Sequence, residues 1–202
     1  MNLTLWTSVC LLLALPAWAG GEPQTAPAGP YQPLTAGQRW RLYADSVVRS
    51  PMTGFRVAAG ASLAHLRDEP PEWGPGGAGL GRRAGHRFGR LAVQESVEAA
   101  GAALLRHEVR YLPSASTSFW SRTGHALAAN FVTLDRRGER TWNAAHLAGI
   151  AAAELVSRRW MPDRYRTPYR TVRGIGIQLG FSTAANLVRE FAPELKRVVR
   201  RK

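Results

Sequence analysis

From Leu34 onward the apolar and polar positions fall into helix-length segments broken by prolines and short polar turns. Thr35 stands where it can cap a helix reaching about Arg49. In that helix Trp40, Leu42, Tyr43 and Val47 are apolar and Arg39, Arg41, Asp45 and Arg49 are polar. Pro51 ends or kinks it. Met52 to Leu66 is rich in Ala and Gly and predicts a second helix, stopped by Pro70-Pro71.

The turn Asp68-Glu69-Pro70-Pro71-Glu72-Trp73-Gly74 leads into a long helix expected to end near Arg110. Its glycines Gly77, Gly81, Gly85 and Gly89 share one side, and the row continues through Val93, Val97, Gly101 and Leu105. Each interior Gly costs a helix roughly 1 kcal/mol relative to Ala, so the row predicts another backbone packed against it.

Ser114 to Ser118 reads as a polar loop, Phe119 to about Leu134 as an apolar segment, and Asp135-Arg136-Arg137-Gly138 as a turn. Trp142 to Trp160 is an Ala-rich helix with Ala145, Gly149 and Ala153 on one side. Pro162 to Pro168 breaks the pattern, Thr171 to about Arg189 resumes it, and Pro193 interrupts the C-terminal end. Two segments also carry a strand pattern. Ile175, Ile177, Leu179 and Phe181 alternate with small or polar residues, and Phe131 to Leu134 could form one arm of a hairpin.

The pattern predicts an all-α, Gly/Ala-rich helical bundle. Close helix crossings are expected at Gly77, Gly81, Gly85, Gly89, Gly101, Gly149, Gly176 and Gly180. The alternative is a mixed or β-barrel-like C-terminal part, but the Ala-rich middle lacks the regular alternating segments of a barrel.

The N-terminus adds an address. Leu11 to Leu15 is a short apolar core, and Ala17-Trp18-Ala19 fits the small-x-small cleavage rule. Residues 1–19 are therefore expected to be a signal peptide, 20–33 a disordered Pro/Gly spacer, 34–195 one helical domain and 196–202 a basic tail. The single cysteine, Cys10, lies in the leader, so the mature chain is expected to lack disulfides and thiolate chemistry. These features predict export to the periplasm or outer membrane of a bacterium. No stretch from Leu34 onward has the length and apolarity of a spanning helix.

The formal net charge of +13 favours anionic partners, here anionic lipid or lipopolysaccharide. Nucleic acid is not expected, because the aromatic and basic interleaving of RNA-binding modules is missing. Arg82, Arg83, His86, Arg87 and Arg90 form a basic face on the long helix, to contact anions or to pair with acid counterparts, Glu69 and Glu72 of the acidic turn with Asp68, Glu95, Glu98 and Glu108. Catalytic signals are weak. Ser62 sits in Gly60-Ala61-Ser62-Leu63-Ala64, a near match to a nucleophile elbow, with Asp135 and His146 in triad order. That motif needs a strand before the serine, and the pattern there is helical. The histidines lack paired metal-ligand spacing, so no metal or cofactor is expected.

Short motifs in fixed order complete the pattern. They are Glu69-Pro70-Pro71-Glu72-Trp73-Gly74, Gly79-Leu80-Gly81-Arg82-Arg83, Arg110-Tyr111, Phe119-Trp120-Ser121-Arg122, Trp160-Met161-Pro162 and Arg189-Glu190-Phe191. Across Leu34 to Arg197 the chain resembles a group of small exported bacterial proteins of unassigned function. Val109 stands where that group leads one to expect Pro, which would let the helix run on. The resemblance implies one folded unit and no particular activity. The expected function is that of a non-enzymatic, envelope- or membrane-associated helical protein packed through small-residue interfaces, with self-association a further expectation. The alternatives are a periplasmic hydrolase using Ser62 or a cluster of His65, Glu69 and His107, and a binder of anionic polymer or headgroups.

Overall fold

The computed structural model describes residues 31–200. The expected signal peptide and all but the last residues of the expected spacer lie outside them. The chain is an all-α bundle with one small hairpin. Its elements run α1 (Ala36–Ala44), a π-helical turn (Asp45–Arg49), α2 (Pro51–Leu66), α3 (Gly76–Leu105), α4 (Phe119–Ala128), β1 (Val132–Leu134), β2 (Arg140–Trp142), α5 (Ala144–Ser157), α6 (Pro168–Glu190) and α7 (Ala192–Arg200).

Local chemistry explains most boundaries. Thr35 and Gln38 form a reciprocal capping box at the start of α1. Pro51 opens α2 in the first helical turn, where its missing N–H is not needed. α3 stops at Leu105 because Arg106 turns left-handed, at φ 58°. It therefore does not run on to Arg110. The Glu108 carboxylate accepts the Val109 and Arg110 N–H groups instead, at 3.0 and 2.9 Å.

The segment 174–181, with its strand-like alternation, is helical throughout. Phe131 to Leu134 does lead into a hairpin, with β1 antiparallel to β2 in the register Val132↔Trp142. Asp135 closes the turn, its Oδ1 accepting from the Arg137 and Glu139 N–H groups at 2.7 and 2.9 Å. Gly138 takes the positive φ of 81° there, and a Cβ on it would stand 3.1 Å from the Tyr31 ring. Tyr31 also donates to Glu108 at 3.2 Å. Ordered packing thus begins inside the expected spacer, and α7 carries helical backbone across the expected boundary at 195.

α3 is the axis, about 45 Å long at 1.5 Å per residue. It packs most extensively on α5, with α2 on another side; α6 packs on α5 and α4. The close crossing of α3 and α5 is made by Gly101 and Gly149. A Cβ on Gly101 would lie 3.2 Å from that of Ala145, and one on Gly149 2.7 Å from the Gln94 carbonyl oxygen.

The rest of the expected glycine row does something else. A Cβ on Gly77, Gly81, Gly85, Gly176 or Gly180 would meet nothing within 4 Å, and one on Gly89 would touch only the Trp160 ring at 3.5 Å. The crowded glycine at the start of α3 is Gly79, whose Cβ would fall 2.0 Å from the Gly74 carbonyl oxygen.

Gly149→Leu should therefore lose about 1–3 kcal/mol or more by overpacking against α3. Gly85→Leu should lose nothing and gain up to about 1 kcal/mol in helix propensity. Urea unfolding of the two variants checks this, and equal losses would contradict the packing described.

Candidate functional site: an arginine knot and a polar seam

The acidic turn is wrapped around one side chain. Asp68 adopts φ 48°, the Glu69-Pro70 peptide is cis, Pro71–Trp73 form a single 3-10 turn and Gly74 has φ 73°. This path aims three backbone carbonyls inward at Arg83, which is fully buried. Arg83 Nε donates to the Glu69 carbonyl at 3.1 Å. One terminal nitrogen reaches the Gly74 carbonyl at 2.7 Å and His65 Nδ1 at 3.2 Å. The other reaches the Pro70 carbonyl at 2.8 Å and Asp68 Oδ1 at 3.0 Å. All five guanidinium N–H groups are used.

Around this knot the other expected ion-pair residues divide. Glu72 pairs with Arg164 at 2.8 Å rather than with α3. Arg82 donates to the Trp73 carbonyl at 3.4 Å. Arg90 pairs with Glu154 of α5. Arg87 lies across Gly60 of α2, its Nε 3.3 Å from where a Cβ would stand. Arg87 is drawn through space to the Glu154 and Glu69 carboxylates.

His86 sits between two indoles, with Trp73 at 5.4 Å and Trp160 at 6.4 Å between ring centres. The Trp160 Nε1–H donates to His86 Nδ1 at 3.0 Å, which places the ring proton on Nε2. Burial, then the Arg90 and Arg87 charges, push its pKa down to about 3. These groups surround a cavity of about 130 Å³ lined by Glu69, Trp73, His86, Arg87, Met161 and Tyr165, among others.

A polar seam runs between α3, α5 and α6. Glu154 accepts from Arg90, and burial pushes its carboxyl up against the opposing pull of Arg90 and Arg87. A Cβ on Gly174 would stand 2.5 Å from that carboxylate, so a side chain there would have to push the Glu154 carboxylate aside. Farther along, Glu98 Oε2 lies 2.9 Å from His146 Nδ1, and His146 Nε2 lies 3.2 Å from Ser182 Oγ. Carboxylate, imidazole and hydroxyl stand in the order of a nucleophile relay. Ser182, however, lies inside α6, where the surrounding N–H groups are spent on helix bonds and cannot form an oxyanion hole. What the relay does here is tie three helices together.

At the far end, Glu190 is buried and accepts from Tyr111 Oη at 2.5 Å, Ser114 N at 3.1 Å and Arg122 Nε at 3.1 Å. Arg122 also covers the Phe191 ring, 4.4 Å from its centre. The short sequence motifs thus collect at two places. Pro70, Trp73, Arg83 and Met161 surround the cavity, and Tyr111, Phe119, Arg122, Glu190 and Phe191 form the second knot.

The expected catalytic sets do not assemble. Ser62 is exposed on α2, Asp135 is spent on its turn, and His146 faces Glu98 and Ser182. His65 is bound to Arg83, while His107 is buried beyond the other end of α3 with its Nδ1 unpartnered. No three His, Cys, Asp or Glu side chains among the described residues gather as a metal site. Glu154, Glu190, Ser182 and Gly174 were missed as site residues, and only the Arg189-Glu190-Phe191 motif gave any signal for them; Glu98, an expected counterpart of the basic face, meets His146 instead. No family model, curated protein or solved structure matches the chain.

Arg83→Met should cost about 3–5 kcal/mol, because it orphans the inward carbonyls of the turn. One part of the pH dependence comes from His86; Glu154 and Glu95, whose carboxyls burial pushes up, work with the opposite sign. The His86 proton is bound more readily when the chain is unfolded, so its contribution is fully present above its ordinary pKa of 6.5 and is lost as pH falls toward about 3. His107, also shifted down by burial, acts with the same sign. Burial works to raise the Glu108 pKa, but hydrogen bonds from Arg110 outweigh it and hold the carboxyl below its ordinary 4.5; its contribution is lost at lower pH still. His86→Gln, which keeps an acceptor for Trp160, should flatten the fall in stability from about pH 7 to 5. An unchanged slope would show that another group carries it.

Proposed function

We propose that the protein is a non-enzymatic component of the bacterial envelope that rests on a membrane surface. The observation that carries this reading is the inversion of its side chains. The largest fully buried ones are Arg83, Ile150, Glu190 and Asn130, whereas Trp120, Trp142 and Trp40 are 78%, 71% and 67% exposed. Leu66 and Leu104 are more than four-fifths exposed. Exposed side chains of this size offer the apolar contact that a membrane surface takes up. Exposed tryptophans on a chain with net charge +13 suit the headgroup zone, where indoles and cations each find favourable partners.

No helix among the described residues is long and apolar enough to cross a membrane, which favours lying on the surface. The export half of the reading rests on residues 1–19 and the bacterial setting on the motifs. A second reading, self-association, is favoured by α6, where Gly176 and Gly180 stand open beside the exposed Ile177 and Phe181.

Co-sedimentation with phosphatidylglycerol/phosphatidylethanolamine vesicles tests the membrane reading. Binding should persist in part at high salt, with a blue shift of tryptophan emission. The double variant Trp120→Asp/Trp142→Asp should bind at least about tenfold more weakly, a change of about 1.4 kcal/mol. No vesicle binding at low salt, with a stable oligomer in solution, would replace this reading by the second one.

A further inference from the structure

We infer that α7 and the Phe119–Trp120 pair beside it form a docking end that lies in the headgroup zone of an anionic bilayer. The assignment rests on the membrane reading and adds the element that touches the bilayer and the charge of its lipid. α7 continues from α6 at Phe191, and the Leu195 N–H donates to the Phe191 carbonyl at 3.1 Å. Leu195 therefore stands one turn beyond Phe191, and it is half exposed. In the sequence Val198 and Val199 follow it at three and four residues, the spacing of one apolar helix face. Lys196, Arg197 and Arg200 are interspersed with them. Little covers this helix: Pro193, Glu194, Leu195 and Arg197 are all exposed.

The apolar strip does not stop at α7. The Phe119 ring lies 5.3 Å from that of Phe191 and 5.2 Å from that of Trp120. Phe119 and Trp120 are 58% and 78% exposed. The aromatic group has a firm base. Arg122, itself nearly buried, covers the Phe191 ring and donates to the buried Glu190 at 3.1 Å and to Glu194 at 2.5 Å. Glu194, the one acid of α7, is thereby neutralised.

Charge selects the occupant. Leu112 to Leu134 has no acidic residue, and Lys196 to Lys202 carries five cations and no acid. A second copy seated on the same strip would bring like charges together, which opposes association. Anionic headgroups attract each of those cations. A helix this short is marginal in water by itself. An apolar face set among basic residues, with a tryptophan beside it, is the profile of a helix lying in the plane of the membrane interface.

Co-sedimentation of the full chain with vesicles tests this. Phosphatidylcholine vesicles containing phosphatidylglycerol should bind it at least about tenfold more tightly than phosphatidylcholine alone. Leu195→Asp and Trp120→Asp should each bind the mixed vesicles at least about tenfold more weakly. Their melting temperatures should stay close to the parent's, because both side chains are exposed. Arg197→Gln should lose about fivefold on the mixed vesicles and nothing on phosphatidylcholine. Trp142→Asp and Trp40→Asp, on β2 and α1, should bind as the parent does. Equal binding of phosphatidylcholine overturns the anionic assignment. Binding untouched by Leu195→Asp, or weakened as much by Trp142→Asp as by Trp120→Asp, overturns the docking end and leaves the membrane reading in place. No vesicle binding by the parent defeats the membrane reading itself, and a solution oligomer lost in Leu195→Asp would then give this strip to a second copy.

Discussion

One guanidinium holds the N-terminal half in shape. Taking Arg83 out of water is expensive, and the expense is met only because each of its five N–H groups finds an oxygen or nitrogen. Three of those partners are backbone carbonyls of one short turn, so the side chain dictates the path of the main chain. α2 can end and α3 begin only where the turn closes over it, with Gly79 giving the turn room to approach. The walls contributed by Pro70 and Trp73 belong to that turn, so the cavity is a product of the same contact.

The remainder obeys a related logic. Where helices meet, the buried apolar side chains are mostly alanines, with Val47 and Ile150 as the larger members. Alanine contacts bring backbones close but carry little directional information. Direction comes from the polar groups threaded between them: Glu154 with Arg90, Glu98 with His146 and Ser182, Glu190 with Tyr111 and Arg122. Each joins elements distant in sequence, and a buried carboxylate tolerates only the geometry that satisfies it. Bulky apolar residues are thereby displaced to the exterior, where Trp120, Trp142 and Trp40 stand exposed.

The helical class was readable because Ala and Gly recur at helical spacing between prolines, and those breaks coincide with the observed ends of most helices. The identity of the packing glycines was not readable. Spacing shows which glycines share a side but not which way that side faces. Gly101 and Gly149 lie in the crossing while Gly77, Gly81 and Gly85 face outward. Arg83, Glu69 and Glu72 were recognisable as a group because acidic turn and basic helix adjoin in sequence. That Arg83 would serve carbonyls more than carboxylates depends on the turn's backbone, which composition does not encode. The Glu98, His146 and Ser182 chain was invisible for a plainer reason: its members lie on three different helices.

Gly174 carries a consequence of its own. The Glu154 carboxylate fills the space its side chain would take. Move α6 along its axis by one turn, about 5.4 Å, and that place is taken by Arg170, Thr171, Ile177 or Gln178. None of them fits. Slippage by a turn is the natural error of a bundle built on small residues, whose contact surfaces look alike at every repeat. Here the error would have to displace a carboxylate that Arg90 holds, so the seating of the longest C-terminal helix is biased by an absent side chain.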